Sequence, residues 1–125
     1  MRYAIFCYQA EGDVCAMSKE QDDAMMAELA NAKAQIGKKS KLGPVARLMP
    51  TTAATTVREG RELVVLDGPF AETKEQLLGF YVIECATLEE AIEATRKLAG
   101  PRSAAGLSGA LEIRPIRFYE PGATV

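Results

Sequence analysis

The sequence predicts one domain of the α+β class, with two helices packed on one face of a mostly antiparallel sheet. The predicted elements follow the order strand, helix, hairpin, strand, helix, strand, which suits a ferredoxin-like split β-α-β arrangement. The chain has 125 residues, of which 48% are hydrophobic and 26% charged, an ordinary balance for a single globular domain. We expect the domain to span residues 1–118 and the tail, residues 119–125, to be loose.

The first strand and the first helix carry the clearest local signals. Residues 2–8 form a nearly continuous apolar run, which predicts a strand covered on both faces. Residues 9–17 are expected to form a loop. Ser18 then starts a helix predicted over 19–39, since Gln21 follows at the spacing of a capping box. One apolar stripe of this helix comprises Met25, Leu29, Ala32 and Ile36.

The middle of the chain predicts a hairpin followed by a second buried strand. Residues 42–53 contain two prolines and are expected to be irregular or to include a short strand. Residues 54–58 and 61–66 are rich in β-forming side chains and flank a Glu-Gly pair, which predicts a tight hairpin turn. Residues 79–85 form another densely apolar strand, which we expect to lie beside the first strand at the centre of the sheet.

A second helix and a last strand complete the predicted fold. Thr87 is the expected N-cap, with Glu90 at the capping-box spacing. The predicted inner stripe comprises Leu88, Ile92, Thr95 and Leu98. Gly100-Pro101 is expected to end the helix and to start a loop. The last strand is predicted over 110–118, where Pro115 favours a sheet edge or a strand end.

Both faces of the two central strands are apolar, although two helices can cover only one face of a sheet. An uncovered apolar face of this size is unusual for a soluble monomer, so we predict a homodimer in which two sheets pack face to face. Glu84, Glu112 and Arg114 are interspersed in these strands. They either line a small cavity between subunits or lie at strand ends in water.

Composition excludes several classes of function. With 15 basic and 17 acidic residues the formal charge is −2, so we do not expect direct binding to nucleic acid or to an anionic membrane. No segment approaches the ~20 apolar residues of a membrane span, and the apolar run at the start is too short for a signal-peptide core. Three cysteines without a CxxC spacing indicate a reducing compartment, so a cytoplasmic protein is expected.

The sequence contains no histidine. This removes Ser-His-Asp and Cys-His catalysis and all His-ligated metal sites. No nucleotide-binding, zinc or calcium motif is present either, so we expect no cofactor and no metal. Catalysis would have to use carboxylates, Lys, Arg, Tyr or Cys.

Asp67 is the candidate catalytic residue, and it has two interpretations. Asp-Gly-Pro after a β-run is a complete turn signal, because Asp bonds nearby backbone N–H groups, Gly permits positive φ and Pro fixes φ. Alternatively, Asp67 offers its carboxylate to a cleft as a general base or hydrogen-bond acceptor. Glu72 and Lys74 follow closely and belong either to a solvated turn or to the same cleft.

Three further side chains are candidates for ligand binding. Arg47 lies between apolar neighbours and either clamps an anionic group bidentately or pairs with Asp67 or Glu72. Tyr81 is either a core or interface residue or part of the cleft. Arg114 needs a carboxylate partner if it is buried, for which Glu84 and Glu112 are available. The binding hypothesis places Asp67, Arg47, Tyr81 and Arg114 around one cleft between subunits.

The segment Asp67 to Glu75, with the sequence DGPFAETKE, resembles the signature of the DGPF-motif family within the YCII-related proteins. Residues 79–81 (GFY), which follow it, resemble the same family. So do residues 1–3, 55–58 and 111–116, and the resemblance therefore spans nearly the whole chain.

This resemblance implies a dimeric α-β barrel built from ferredoxin-like subunits. It does not supply a function. The wider YCII group includes proteins with a proposed His–Asp catalytic pair, of which only the aspartate carries over here, onto Asp67, so whether the protein is an enzyme stays open. Family members also resemble products encoded beside extracytoplasmic-type sigma factors. The alternative to small-molecule binding is therefore a regulatory protein-interaction module.

Overall fold

Six strands and three α-helices are present in residues 1–123, the part of the chain that the computed structural model describes. The strands are β1 (Arg2–Gln9), β2 (Lys41–Arg47), β3 (Thr55–Arg58), β4 (Val64–Asp67), β5 (Gln76–Glu84) and β6 (Gly109–Pro115). The helices are α1 (Glu11–Cys15), α2 (Lys19–Ile36) and α3 (Leu88–Ala104), with a 3₁₀ turn at Thr51–Ala53. None of these helices is both long enough and apolar enough to cross a membrane.

Four strands form one antiparallel sheet in the order β2-β5-β1-β6. Strand β5 lies between β2 and β1, the two strands that α2 connects, which is the split β-α-β arrangement of a ferredoxin-like fold. The predicted α+β class is confirmed, as is the central position of β1 and β5. Pro115 ends β6, an edge strand, where the missing N–H costs the least.

The core lies between this sheet and helices α2 and α3. Ile5, Ile83 and Leu98 are its largest fully buried side chains. The predicted stripe of α2 is confirmed, because Met25, Leu29, Ala32 and Ile36 are its buried residues. The stripe predicted for α3 is confirmed at Thr95 and Leu98 but wrong at Leu88, which is exposed. Two small side chains, Ala91 and Ala94, complete the buried face instead.

Both long helices begin where their caps predict. Ser18 Oγ accepts from Gln21 N at 3.1 Å, and Gln21 Oε1 accepts from Ser18 N at 2.9 Å, a complete capping box. At α3, Thr87 Oγ1 accepts from Glu90 N at 3.2 Å. The Glu90 carboxylate accepts from Ala86 N at 2.9 Å, one residue earlier than the box requires.

The prediction that α3 ends at Gly100-Pro101 is wrong, because the helix continues to Ala104. Proline disfavours helical geometry in the preceding residue partly through a clash with the Cβ of that residue. Gly100 has no Cβ, so the helix passes through Pro101. Arg102 therefore belongs to the last turn of α3 and not to a loop.

A Schellman motif ends α3 instead. Gly106 has a φ of 83°, and its N–H donates to Ser103 O at 3.0 Å. Leu107 N donates to Arg102 O, also at 3.0 Å, and the Leu107 side chain is buried. The sequence signal was the Ala-Gly-Leu run at 105–107, where glycine takes the left-handed conformation that other residues avoid.

Helix α1 occupies part of 9–17, where the sequence predicted a loop. Strand β2 occupies the start of the Pro-rich segment 42–53, so the second of the two alternatives for that segment, a short strand, is confirmed. The pairing of β2 with β5 is interrupted between Leu42 and Val45, and β2 is an edge strand. An edge strand pairs on one side only, so Pro44, which has no N–H to donate, is tolerated there.

Strands β3 and β4 form a separate two-stranded ribbon, which we call the ribbon (residues 55–67). The predicted hairpin is confirmed, but the two-residue turn is wrong, since residues 59–63 connect the strands. Arg61 and Glu62 stay in this connection and do not join β4.

In the predicted loose tail, residues 119–123 carry no helix or strand, and the ring of Tyr119 lies 4.8 Å from the guanidinium carbon of Arg2. Residues 124–125 lie outside the described residues.

Candidate functional site

The two faces of the sheet differ in how they are covered. Tyr3, Ile5 and Cys7 of β1 are buried beneath the helices, whereas the alternate side chains are half-buried. The face away from the helices, which we call the open face, comprises Ala4, Phe6, Tyr8, Phe80, Val82, Glu112 and Arg114. On this face Ala4, Phe6, Tyr8 and Phe80 are only half-buried, whereas Val82 is buried.

A cavity of about 70 Å³ lies on the helix side, between the sheet and α2. We call it the inner cavity; its wall includes Cys7, Gln9, Met25, Arg47, Tyr81 and Arg102. Strand β1 contributes Cys7 and, at its end, Gln9; β5 contributes Tyr81, which lies opposite Ile5, and α3 adds Arg102. The rest of the wall is mainly apolar.

Tyr81 and Arg102 form a directly bonded pair in this wall. Arg102 Nη2 donates to Tyr81 Oη at 2.9 Å, and Arg102 Nη1 donates to Leu98 O at 2.7 Å. The Tyr81 side chain is buried, and the Arg102 side chain is half-buried. Among residues 1–123, no carboxylate lies within 4.0 Å of this guanidinium. The positive charge of Arg102 is therefore held in place without a counterion.

Arg47, by contrast, already holds a carboxylate. Its Nη1 and Nη2 donate to the two oxygens of Asp22 on α2, at 3.1 and 2.8 Å. These hydrogen bonds lower the pKa of the Asp22 carboxyl and raise the pKa of the Arg47 guanidinium. The partners considered from the sequence were Asp67 and Glu72, and Arg47 pairs with neither. This pair ties the end of β2 to α2 beside the inner cavity.

The cysteine in the inner cavity is a neutral thiol. Burial raises the pKa of Cys7 above its ordinary value of 9.0, and the charge of Arg102 offsets this only in part. Burial likewise raises the pKa of Cys85, which lies outside the cavity. Within residues 1–123, no group of three or more Cys, Asp or Glu side chains is arranged to hold a metal ion.

A second cleft of about 330 Å³ adjoins the inner cavity, and Val14, Arg47 and Leu78 line both. We call it the outer cleft; α1, the end of β2 and the segment 48–50 form its remaining wall. Leu48 and Met49 at its rim are exposed. The inner cavity and the outer cleft together provide a polar end and a wider apolar end.

Glu11 fixes the wall of the outer cleft. Its carboxylate accepts from Thr51 Oγ1 at 2.6 Å and from Thr51 N at 2.8 Å, which lowers the pKa of Glu11. Its own N–H donates to Gln76 Oε1 at 2.9 Å. Helix α1, the 3₁₀ turn and the start of β5 are thereby held together.

The other candidate residues predicted from the sequence lie elsewhere. Asp67 ends β4 on the ribbon, where its carboxylate is exposed and accepts no hydrogen bond from residues 1–123. The turn after it is held by the backbone, since Gly68 has a φ of 90° and its N–H donates to Ala54 O at 2.7 Å. Glu72 and Lys74 are exposed in the following loop.

Arg114 lies on the open face and pairs with Glu112 at 2.8 Å, one of the two partners expected from the sequence. Its guanidinium carbon lies 5.6 Å from the centroid of the Phe6 ring. Of the predicted site residues, the structure brings together Arg47 and Tyr81. It does not bring Asp67, Glu72, Lys74 or Arg114 to the inner cavity.

The sequence reasoning missed Arg102 and Gln9 as cavity residues. Arg102 was expected to lie in a loop because the end of α3 was placed too early. The Schellman signal at 105–107 would have put Arg102 on the last helical turn. Gln9 was expected just beyond the first strand, but β1 includes it.

The fold and the cavity define a two-layer α+β protein of ferredoxin-like topology with a pocket between sheet and helix. The family model described as YCII-related domain matches residues 1–117, so the chain belongs to the YCII-related family. An uncharacterised protein of Rhizobium meliloti (strain 1021) is 49% identical over 123 residues, which cover 98% of this chain and 97% of that protein. Assignment to the DGPF-motif subgroup stays a prediction.

Proposed function

We propose that this YCII-family protein is a homodimer that binds a small organic molecule in the inner cavity, with the outer cleft as its entrance. The observation that carries the proposal is the Tyr81–Arg102 pair, a phenol and a guanidinium fixed in the wall of a mainly apolar cavity. Ligand sites commonly combine apolar walls with a few convergent polar groups in this way.

Two features support the homodimer: the open face and the ribbon. A two-stranded ribbon is at best marginally stable alone in water. The ribbon nevertheless exposes large apolar side chains, with Leu63 73%, Val65 66% and Val57 57% exposed. Contiguous exposed apolar surface of this kind marks an interaction site. A second copy would cover the ribbon and the open face, and the exposed rim of the outer cleft is a further surface for it.

The binding proposal does not need Asp67 as a catalytic base. Asp67 lines neither the inner cavity nor the outer cleft. A catalytic role for its carboxylate would require the second copy to bring a ligand to the ribbon.

Protein-observed NMR with a library of small neutral and anionic fragments tests ligand binding. We expect binders to shift the amide signals of Cys7, Gln9 and Tyr81. Shifts confined to the ribbon and the open face, or no shifts at all, would reject the inner cavity as a binding site.

Light scattering across a wide range of protomer concentration tests the homodimer. Val65→Lys is expected to lower the measured mass of the wild-type dimer towards that of a monomer, because it places a charge in the apolar interface. Glu89→Lys on the exposed surface of α3 is the matched control and should leave the dimer intact. A wild-type monomer at every concentration would reject the homodimer.

The exposed apolar ribbon also favours a second candidate function, a regulatory module that binds another protein such as a sigma factor. The same measurements separate the two functions. A wild-type monomer that co-purifies with a different protein through Val65 would favour the regulatory module, whereas a stable homodimer that buries the ribbon would count against it.

A further inference from the structure

The wall of the inner cavity is electropositive. Arg47, Arg102 and Lys33 all line it, and no carboxylate among the described residues does so. Asp22 balances Arg47 from outside the wall, which leaves Arg102 and Lys33 without an acidic partner within 4.0 Å in residues 1–123. Positive groups in a low-dielectric pocket favour a negatively charged occupant.

The side-chain amide of Gln9 is a second, independent feature that points to a ligand. The residue is buried, but its side-chain amide makes no hydrogen bond with residues 1–123. No side-chain nitrogen or oxygen that is fully shielded from solvent lacks a partner in this part of the chain. The amide of Gln9 therefore meets open space, and it lines both the inner cavity and a neighbouring cavity of about 230 Å³. Its amide is therefore free to hydrogen-bond an occupant of either cavity.

Tyr81 supplies a further donor. Its hydroxyl oxygen accepts from Arg102, so its own proton is free to donate to a ligand atom. The guanidinium, the phenol and the amide are all donors, and all three line the inner cavity, where each can donate to the oxygens of an anionic group.

We infer that the ligand is a small monocarboxylate whose anionic group contacts Arg102, Tyr81 and Gln9. This inference deepens the proposed function and rests on it. Arg102 donates one N–H to Leu98 O and one to Tyr81 Oη, and its guanidinium keeps further N–H donors for a carboxylate. A dianionic phosphate fits less well, because Arg102 lies at the C-terminal end of α3, where the helix dipole is negative. The apolar side chains of Met25 and Leu29 suit a short hydrocarbon chain, and the adjoining outer cleft offers room for a longer one.

Butanoate and its neutral isostere butanamide are the probes, titrated against the wild-type protein and followed by NMR shifts of Gln9 and Tyr81. We expect butanoate to bind more tightly than butanamide. Arg102→Met should weaken butanoate by about tenfold or more, the effect of losing one charge-assisted hydrogen-bonded pair, and should weaken the neutral butanamide much less. Arg114→Met is the matched control, since Arg114 lies on the open face, and it should leave both probes unaffected.

Lys33→Met is the second variant, because Lys33 is half-buried on α2 and its replacement does not disturb the Tyr81 pair. It should weaken butanoate severalfold and not butanamide. Equal affinities for the two probes, or unchanged butanoate binding in both variants, would overturn the carboxylate assignment while the binding proposal stands. Inorganic phosphate binding at these amides more tightly than butanoate would also overturn it. If neither these probes nor the fragment library perturbs the cavity, the proposed function itself fails.

Discussion

Removal of the Tyr81 hydroxyl measures how firmly the Tyr81–Arg102 hydrogen bond holds the cavity wall. The two atoms are 2.9 Å apart, and Tyr81 is only 5% exposed. Hydrogen bonds to charged groups contribute about 1.5–3 kcal/mol, and a half-exposed guanidinium recovers part of this from water. We therefore expect Tyr81→Phe to lower the free energy of unfolding by about 1.5 kcal/mol, the lower end of that range.

Urea denaturation followed by circular dichroism at one fixed protomer concentration is the assay. With an m-value of about 2 kcal/mol/M, a loss of that size moves the midpoint by roughly 0.7 M. A double-mutant cycle with Arg102→Met isolates the pair, and we expect a coupling of about 1 kcal/mol. Tyr119→Phe is the matched control, because that hydroxyl makes no hydrogen bond with residues 1–123. A coupling of zero within error would show that the pair does not stabilise the wall.

Three further outcomes follow from other contacts. Gly109→Ala should destabilise the protein by about 2 kcal/mol or more in thermal denaturation, because the new Cβ would lie inside van der Waals distance of Tyr8 O; an unchanged midpoint would contradict the register of β6. Ser18→Ala should cost about 1 kcal/mol in urea, since it removes the cap of α2. The pKa of Asp22 is lowered from 3.8 by Arg47, so its contribution to stability is present above pH 3.8 and is lost as pH falls through the lower folded value. In denaturation at a series of acidic pH values, the free energy of unfolding of Arg47→Met should depend less steeply on pH than that of the wild type. An identical pH dependence would refute the stabilisation of the Asp22 carboxylate by Arg47.

The elements that the sequence predicted well are those specified by local signals. The continuous apolar run of β1 and the capping box at Ser18 depend on neighbours in the chain. The four buried positions of α2 follow from its helical period alone. Such patterns define an element without reference to the rest of the fold.

The elements that were missed or left open depend on tertiary contacts. Strand β2, one of two alternatives for its segment, contains a glycine and a proline and is a strand because β5 offers it an edge. Helix α1 spans Glu11–Cys15 and is too short to show a helical pattern of apolar residues. Glu11 holds it in place through hydrogen bonds with Thr51 and Gln76. Neither contact can be derived from neighbouring residues.

The candidate site divides in the same way. Tyr81 and Arg47 were found because a tyrosine in a buried strand and an arginine among apolar residues are unusual in themselves. Their partners, Arg102 and Asp22, come from helices 21 and 25 residues away in sequence, so pairing could not be assigned in advance. Asp22 already pairs with Arg47, so the anion-binding role first considered for Arg47 is proposed for Arg102 instead.

Net charge describes the whole molecule and not its cavity. The chain carries −2 overall, yet the side chains that line the inner cavity include three cations and, among the described residues, no carboxylate. Acidic side chains such as Glu20, Glu59 and Glu89 lie at the exposed surface instead, where their charge is screened by water. An acidic protein can thus present an electropositive pocket. The proposal of an anionic ligand therefore depends on where Arg102, Tyr81 and Gln9 lie, and not on composition.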